Sequence, residues 1–385
     1  VLFNNTNSRK LLGKTALIKN DTNWAYSNHM TRIRLGESLV TPSWIAIYLH
    51  KLFWEGYYKQ IAKNHVNQSS VNSTDLSKKV PIIIAPLNEQ KRIVSKIEEL
   101  FSKIDSTKQS LEHTKLQLEQ YRQSLLKSAF EGKLTEKWRE VNKNRLELII
   151  LENKNYEIMD LHGWISCSIG DLIKPSKQKF EPLKGENKIL IGLEHIEKHT
   201  GRIIGQDNSK NLKSTKTVFR CGDILYGRLR PYFNKIAIPD FDGVCSTDIL
   251  VFQETTHIMN KFLKYFLMQG SFVKFTNKNM TGTELPRISF KKISEFMIQL
   301  PSLMEQEQIV SQIEQSFSLI ENSQRIVNST LQTLETMRMS VLKQAFQGKL
   351  VPQDPNDEPA SILLEKIKKA HVDLKPKQRR AKNVK

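Results

Sequence analysis

The chain has 385 residues, 39% of them hydrophobic, which suits two or three compact units and argues against a wholly disordered polymer. Lys and Arg outnumber Asp and Glu by 59 to 40, and the resulting +19 suits a polyanion such as nucleic acid; the plainer reading is a basic protein kept soluble by its charge. Cys167, Cys221 and Cys245 form no CxxC pair, no basic start precedes an apolar core, and no apolar run approaches the ~20 residues of a bilayer helix, so buried thiols in a cytoplasmic, membrane-free protein are expected.

Taken in chain order, residues 1–85 open with VLFNNTNSRKLLGKTALI and continue into a helical stretch, PSWIAIYLHKLF. Both have parallels later on. Val1 aligns with Ile224 and Lys14 with Lys235 of ILYGRLRPYFNKIAI after small gaps, and the helix parallels one near residue 261. On this alignment the first domain lacks the counterpart of about 60 residues, Trp164 to Asp223, so the chain reads as cut in mid-strand and its first domain as incomplete.

Residues 86–134 predict a long helix. Its seam alternates steps of four and three through Ile93, Ile97, Leu100, Ile104, Thr107, Leu111, Thr114, Leu118, Tyr121 and Leu125. Pro86 stands upstream and Gly132 follows as a stop. Glu89–Leu134 aligns without a gap onto Glu305–Leu350, at an offset of 216 and with about 22 of 46 positions identical. The second copy, within residues 301–350, follows Pro301, ends at Gly348 and carries the seam Ile309, Ile313, Ser316, Ile320, Ser323, Val327, Thr330, Leu334, Met337 and Val341. Two such helices in one chain can pair antiparallel with each other, in preference to self-association between chains; Thr and Ser in the seam leave room for a partner helix.

Residues 135–162 read as a linker, and residues 163–300 as an α+β domain: short apolar runs (KILIGL, GRIIG, GDILYGRL, NKIAIP, DILVF) alternate with Gly, Pro, Asn and Asp, then comes a helical stretch over 261–275. Residues 351–385 form a basic tail, whose part from Glu365 to Lys385 ends in KPKQRRAKNVK and reads as a disordered, solvated end, with a phosphate-binding arm as the alternative.

Catalytic spacings are missing. There is no GxGxxG after a strand, no GxxxxGK[ST], no HExxH, no GxSxG and no Asn-Pro-Pro-aromatic run, so no catalytic residue and no cofactor is expected. Asp240, Asp242 and Asp248 are read as turn-shaping acids in preference to metal ligands, and no metal is expected. What the sequence does offer is GRLRPYFNK, where Arg228, Arg230, Tyr232, Asn234 and Lys235 follow a strand. Arg can read guanine, Asn adenine, and Lys and Tyr suit phosphates; arginines paired with nearby acids in an exposed hairpin are the alternative. Thr281, Thr283 and Arg287 in NMTGTELPRISF form a second candidate loop. In the first domain Asn7, Arg9, Lys10 and Lys14 stand in place of the first stretch, and Asn67, Gln68, Ser69, Ser70 and Asn72 in place of the second.

Together, PLNEQKRIVSKIEELF, SLLKSAFEGKL, LMEQEQIVSQIEQSF and VLKQAFQGKL, with GDILYGRLRPYFNK, DFDGVCSTDILVF and TGTELPRISF, resemble the specificity subunit of type I restriction-modification systems. The resemblance covers nearly the whole chain. It implies an α+β protein with two α/β target recognition domains, the first incomplete, alternating with two long helices paired as an antiparallel coiled coil. It also implies a non-catalytic partner of double-stranded DNA, of two methyltransferase subunits and, through the complex, of restriction and translocase subunits. In that arrangement each domain reads half of a split target and the helices set the spacing. Two other classes compete: a basic coiled-coil scaffold for RNA or membrane surfaces, and a fragment of a fused DNA methyltransferase.

Overall fold

The computed structural model describes residues 1–20, 23–35, 39–142, 158–159, 163–182, 187–209 and 214–379, without the side chains of 158–159 and 371–379. Two compact units emerge: Val1–Thr114 with Ile326–Lys385, and Lys115–Arg325. Their borders fall inside the long helices, Leu87–Phe130 and Leu303–Phe346, so each unit holds part of both.

The helices start and stop alike because their sequences do. Gln90 and Gln306 each donate from the side-chain amide to a carbonyl just upstream, Ala85 at 2.8 Å and Pro301 at 2.9 Å. Gly132 and Gly348 adopt φ of +74° and +70°, the left-handed backbone in which glycine lacks a Cβ penalty. At 1.5 Å per residue the 44 residues of each helix extend about 66 Å.

In the first unit the start of the first long helix lies against the end of the second: Ile93, Val94 and Ile97 share a core with Leu342, Ala345 and Phe346. In the second unit the end of the first helix meets the start of the second, Leu125, Leu126, Ala129 and Phe130 packing with Ile309, Val310, Ile313, Phe317 and Ile320. The pairing is antiparallel and within one chain. Across the seam, Arg338 covers the Phe101 ring at 4.6 Å in the first unit and Arg122 covers Phe317 at 4.0 Å in the second, the same contact at an offset of 216. Lys108 pairs with Glu335, and Gln324 with Glu119, both at 2.9 Å, by the same correspondence.

Of the expected seam, Ile104, Val327 and Leu334 are also buried, whereas Leu100, Leu111, Leu118 and Val341 are half-buried. Met337 and Tyr121 depart from it: they are 48% and 55% exposed, and the residues after them, Arg338 and Arg122, turn inward. A straight α-helix drifts about 20° per heptad from a 3.5-residue repeat, so strict four-three counting slips by one position toward the far end.

Each unit carries the same three-stranded antiparallel sheet. In the first, Leu2–Asn4 lies between Thr15–Ala16 and Met30–Arg32; in the second, Ile224–Gly227 lies between Ile236–Ala237 and Ile249–Phe252. Pairing Leu2 with Ala16 and Leu225 with Ala237 reproduces the alignment of Val1 with Ile224 and of Lys14 with Lys235. A helix follows in both, Pro42–Trp54 and Asn260–Met268, and the last aromatic of a long helix docks on it. Phe346 meets Trp44 at 4.6 Å, and Phe130 meets Phe262 at 5.2 Å. The second unit adds a five-stranded mixed sheet, ordered Asp207–Asn208, Ile189–Ile191, Gly243–Cys245, Lys216–Phe219 and Lys179–Phe180. The described residues of the first unit hold no counterpart of that sheet.

Three expectations are corrected. Cys167 and Cys245 are buried, but Cys221 is exposed on a turn after a strand. The first part of the expected linker is packed: Glu136–Asn142 is helical and Arg139 is 6% exposed, while residues 143–157 and 160–162 lie outside the described residues. The tail is helical over Ala360–Arg379, where Ile362, Leu363 and Ile367 recur at helical spacing and Leu363 is 3% exposed; residues 380–385 lie outside the described residues. Asp357, just before that helix, is held at 2.7 Å by Arg92.

A buried polar knot locks the packed linker. Glu305, 1% exposed, accepts from Thr135 Oγ1 at 2.7 Å, from Trp164 Nε1 at 2.9 Å and from the Arg139 guanidinium. Glu305→Ala is expected to cost about 3–5 kcal/mol by leaving the buried Arg139 charge without its acid, whereas replacing both residues by Met costs far less. Urea unfolding of the full chain reads the difference, and equal costs for the single and double variants would refute the knot's role.

Candidate nucleic-acid interface

Two loops at one end of the small sheet of the second unit are laced together by backbone. Arg228 donates its N–H to the Asp248 carbonyl at 2.9 Å and accepts from Ile288 at 3.0 Å; Arg230 donates to the Pro286 carbonyl at 2.7 Å. Thr281 and Arg287 exchange hydrogen bonds of 2.9 and 2.8 Å, closing a tight loop over 281–287 with Gly282 at φ +102°. Gly227 sits where a Cβ would come within 2.8 Å of Leu193 Cδ2, so the strand leading into Arg228 has no room for a side chain there.

Between the strands, Pro231–Phe233 form a single 3-10 turn bracketed by Arg230 and Asn234, both left-handed at φ of 49° and 46°. Such a conformation costs a non-glycine residue of order 1–2 kcal/mol, and the lacing described above holds it in place.

The expected contact residues separate by where the fold puts them. Arg230, Thr281 and Thr283 are exposed and Tyr232 is 37% exposed, its ring against Phe233 at 4.7 Å. The Arg230 guanidinium makes one long hydrogen bond, 3.3 Å to the Glu284 carbonyl. Arg228 is half-buried, with a buried Nε that has no partner. Asn234 is 5% exposed and its amide donates to the Met268 carbonyl at 3.1 Å, holding the turn against the domain helix. Lys235 also turns inward and donates to the Leu193 carbonyl, and burial, aided by the Lys198 charge, pulls its ammonium below the usual lysine value. Arg287 is clamped: Asp248 takes its Nε at 2.7 Å and its Nη2 at 3.0 Å. The acid-paired alternative, raised for the arginines of GRLRPYFNK, describes neither Arg228 nor Arg230 among the described residues; the arginine that is acid-paired is Arg287 of the second loop.

Asp248 was legible only as one of three turn acids. Its partner lies 39 residues away, and no local signal joins them. Asp242 does shape a turn, accepting from the Cys221 N–H at 2.8 Å, and Asp240 is exposed. The described residues contain one cluster with ligand-like spacing, Glu194, His195 and Asp207. There His195 Nδ1 already accepts the Gly192 N–H at 3.0 Å, which directs the ring's own proton to Nε2, toward Asp207 at 3.7 Å. That tautomer offers no nitrogen lone pair to a metal.

The first unit builds the same pair of loops from other side chains. Asn5 donates its N–H to the His29 carbonyl and accepts from Val71, both at 2.9 Å, matching Arg228; Asn7 pairs with Ser69 where Arg230 meets Pro286. Ser70 and His29 stand where Arg287 and Asp248 do, so no ion pair forms, and the Ser70 hydroxyl is bonded to His65 at 3.2 Å. Asn72 caps the helix Ser73–Lys79 through Asp75, as Ser289 caps Phe290–Ile293 through Lys292. Asn4, Asn7, Ser8, His29, Asn67 and Gln68 line an open cleft beside these loops. Arg9, Lys10 and Lys14 are exposed on the intervening turn, and Ser69 is buried, 3% exposed, bonded to Asn64 at 2.9 Å. Gly13 in this turn has φ +90° and packs on Tyr58, whose ring a Cβ would overlap.

The Arg287 hydrogen bonds hold the Asp248 carboxyl below the usual aspartate value. A depressed native pKa means that the clamp stabilises the loop fully above the ordinary aspartate pKa of about 3.9 and loses its effect as pH falls through the native value. Asp248→Asn at neutral pH is expected to cost about 1 kcal/mol, since both side chains are partly exposed, and to speed hydrogen exchange at the Thr281 and Arg287 amides. Exchange at those amides equal to wild type would rule the clamp out.

Residues 6–116 and 162–330 match the family model described as the type I restriction modification DNA specificity domain. The chain is similar to the type I restriction enzyme EcoDI specificity subunit of Escherichia coli, 30% identical over 342 residues that cover 82% of this chain and 75% of that protein. The StySPI specificity subunit of Salmonella potsdam is 27% identical over 392 residues, 96% of this chain and 80% of its own. Among solved structures, a chain from work on complex assembly and conformational transition of the type I R-M system superposes with a TM-score of 0.61 at 17% identity. The match covers 84% of this chain and 75% of that one, a likeness of fold.

Proposed function

Because the chain belongs to the type I restriction-modification specificity subunits, a family of non-catalytic DNA-recognition proteins, we propose that it reads a split DNA target and directs the partner subunits that act on it. One observation carries this reading: the same pair of loops, in the same backbone register, is built twice in one chain with different side chains at its tips. A duplicated frame with divergent tips suits two half-sites of unlike sequence. Phosphate contacts position such a reader and base contacts specify it; the exposed Arg9, Lys10 and Lys14 suit the first role, and Arg230, Thr281 and Thr283 the second.

Methyltransferase subunits, two of them, and through the assembly the restriction subunits, are the partners that would act on the bound DNA in the cytoplasm. No described helix is long and apolar enough to cross a membrane. Both long helices contribute to both units, which supports reading their length as the spacer between half-sites.

The test is binding of the full chain, with its methyltransferase subunits, to duplexes carrying randomised sequence. One preferred split sequence is expected, with affinity that falls steeply as salt rises. Deleting one heptad from each long helix is expected to change the spacer and leave the bases read unchanged. Sequence-indifferent binding, or methyl transfer by the chain without partners, would overturn the proposal.

A further inference from the structure

The two loop pairs share a hydrogen-bond register and differ in side chains at several matched positions, Asn5 against Arg228, Asn7 against Arg230 and Ser70 against Arg287 among them; Arg230 is left-handed and Asn7 is not. Counting along the common register, Asn5 corresponds to Arg228 and, two residues on, Asn7 to Arg230. Resting on the reading of the chain as a split-target DNA reader, we infer that this shared position reads a base in each half-site, Arg230 taking a guanine and Asn7 an adenine.

Three features single out Arg230 among the arginines of its site. Arg287 is committed to Asp248 through two hydrogen bonds, and the Arg228 Nε is buried. Arg230 is exposed, its backbone is fixed in the left-handed region by the Pro286 carbonyl ahead of Pro231, and among the described residues its guanidinium is tied by the 3.3 Å bond to Glu284 alone. A planar fork on a rigid stem, with most of its donors open, matches the O6 and N7 acceptors of guanine in the major groove.

Asn7 ends the short strand Thr6–Asn7, beside the open cleft that Asn67 and Gln68 also line. Its Oδ1 accepts the Ser8 N–H at 2.7 Å, which fixes the side chain and leaves an oxygen lone pair and the amide protons for the N6 and N7 edge of adenine. Among the described residues, no arginine or lysine lines that cleft, and no ion pair of the Asp248–Arg287 kind stiffens it. The second half-site therefore contains a guanine at the place where the first contains an adenine.

The experiment is selection from a randomised duplex pool by the full chain with its methyltransferase subunits, wild type against Arg230→Asn and Asn7→Ala. Asn tolerates the left-handed backbone better than Arg, so the first variant keeps the turn. Arg230→Asn is expected to lower the guanine preference at one position of one half-site by about 10- to 100-fold and to leave the other half unchanged. Asn7→Ala is expected to relax an adenine in the other half. Arg230→Lys, which keeps the charge and loses the planar fork, retains overall affinity and weakens the guanine preference. An unaltered preference in any of the three variants, or a wild-type half-site lacking the assigned base, overturns the inference while the split motif keeps the functional proposal standing. Absence of any split motif in wild type overturns both.

Discussion

Antiparallel pairing of two copies of one helix within a single chain is the constraint on which the rest of this molecule depends. Each copy must bury its own seam and also offer its last aromatic, Phe130 or Phe346, to the helix of a recognition domain. The seam is not wholly apolar. Arg122 and Arg338 lie across Phe317 and Phe101 at 4.0 and 4.6 Å, so two long cationic side chains fill the interface where aliphatic residues would otherwise stand. An Arg over an aromatic face contributes of order 0.5–2 kcal/mol and tolerates one angular setting, which specifies register more sharply than a row of leucines does. Arg122 is 4% exposed, and burial lowers its pKa against the opposing pull of Glu119 and Glu321; the ring face and those acids keep the buried charge tolerable.

The recognition domains build on that constraint by separating frame from tip. The frame is backbone: a three-stranded sheet, a helix and two loops, laced by N–H to carbonyl bonds that recur at matched positions in both units. Backbone bonds do not depend on side-chain identity, so the frame can persist while the tips change. Asn5 for Arg228, Asn7 for Arg230 and Ser70 for Arg287 are such changes. The stiffness of the tips differs accordingly. In the second unit a bidentate ion pair and two left-handed residues fix the loops, and in the first unit amides and hydroxyls hold them through neutral hydrogen bonds.

Much was legible in the sequence because the information was local or duplicated. The heptad spacing gave both long helices, since side chains three and four apart share a face, and the offset of 216 gave their equivalence. The weak likeness of VLFNNTNSRKLLGKTALI to ILYGRLRPYFNKIAI led to the register that the sheets adopt. Met337 and Tyr121 marked the limit of counting, because the drift of a straight helix accumulates and only the partner's position shows where it matters.

What the sequence by itself determined is the kind and order of the elements, the repeat and the stretches rich in Arg, Asn and Lys. Only tertiary structure decided which of those residues face outward. Asn234 and Lys235 belong to the same promising run as Arg230, yet one caps the Met268 carbonyl and the other the Leu193 carbonyl. Arg287 is neutralised by an acid 39 residues distant, and Glu305 gathers Thr135, Arg139 and Trp164 from across a segment that composition marked as a linker. The physical reason is common to all of these. A polar side chain is committed by whatever donor or acceptor the fold brings within 3 Å of it, and sequence neighbours carry little information about partners that distant.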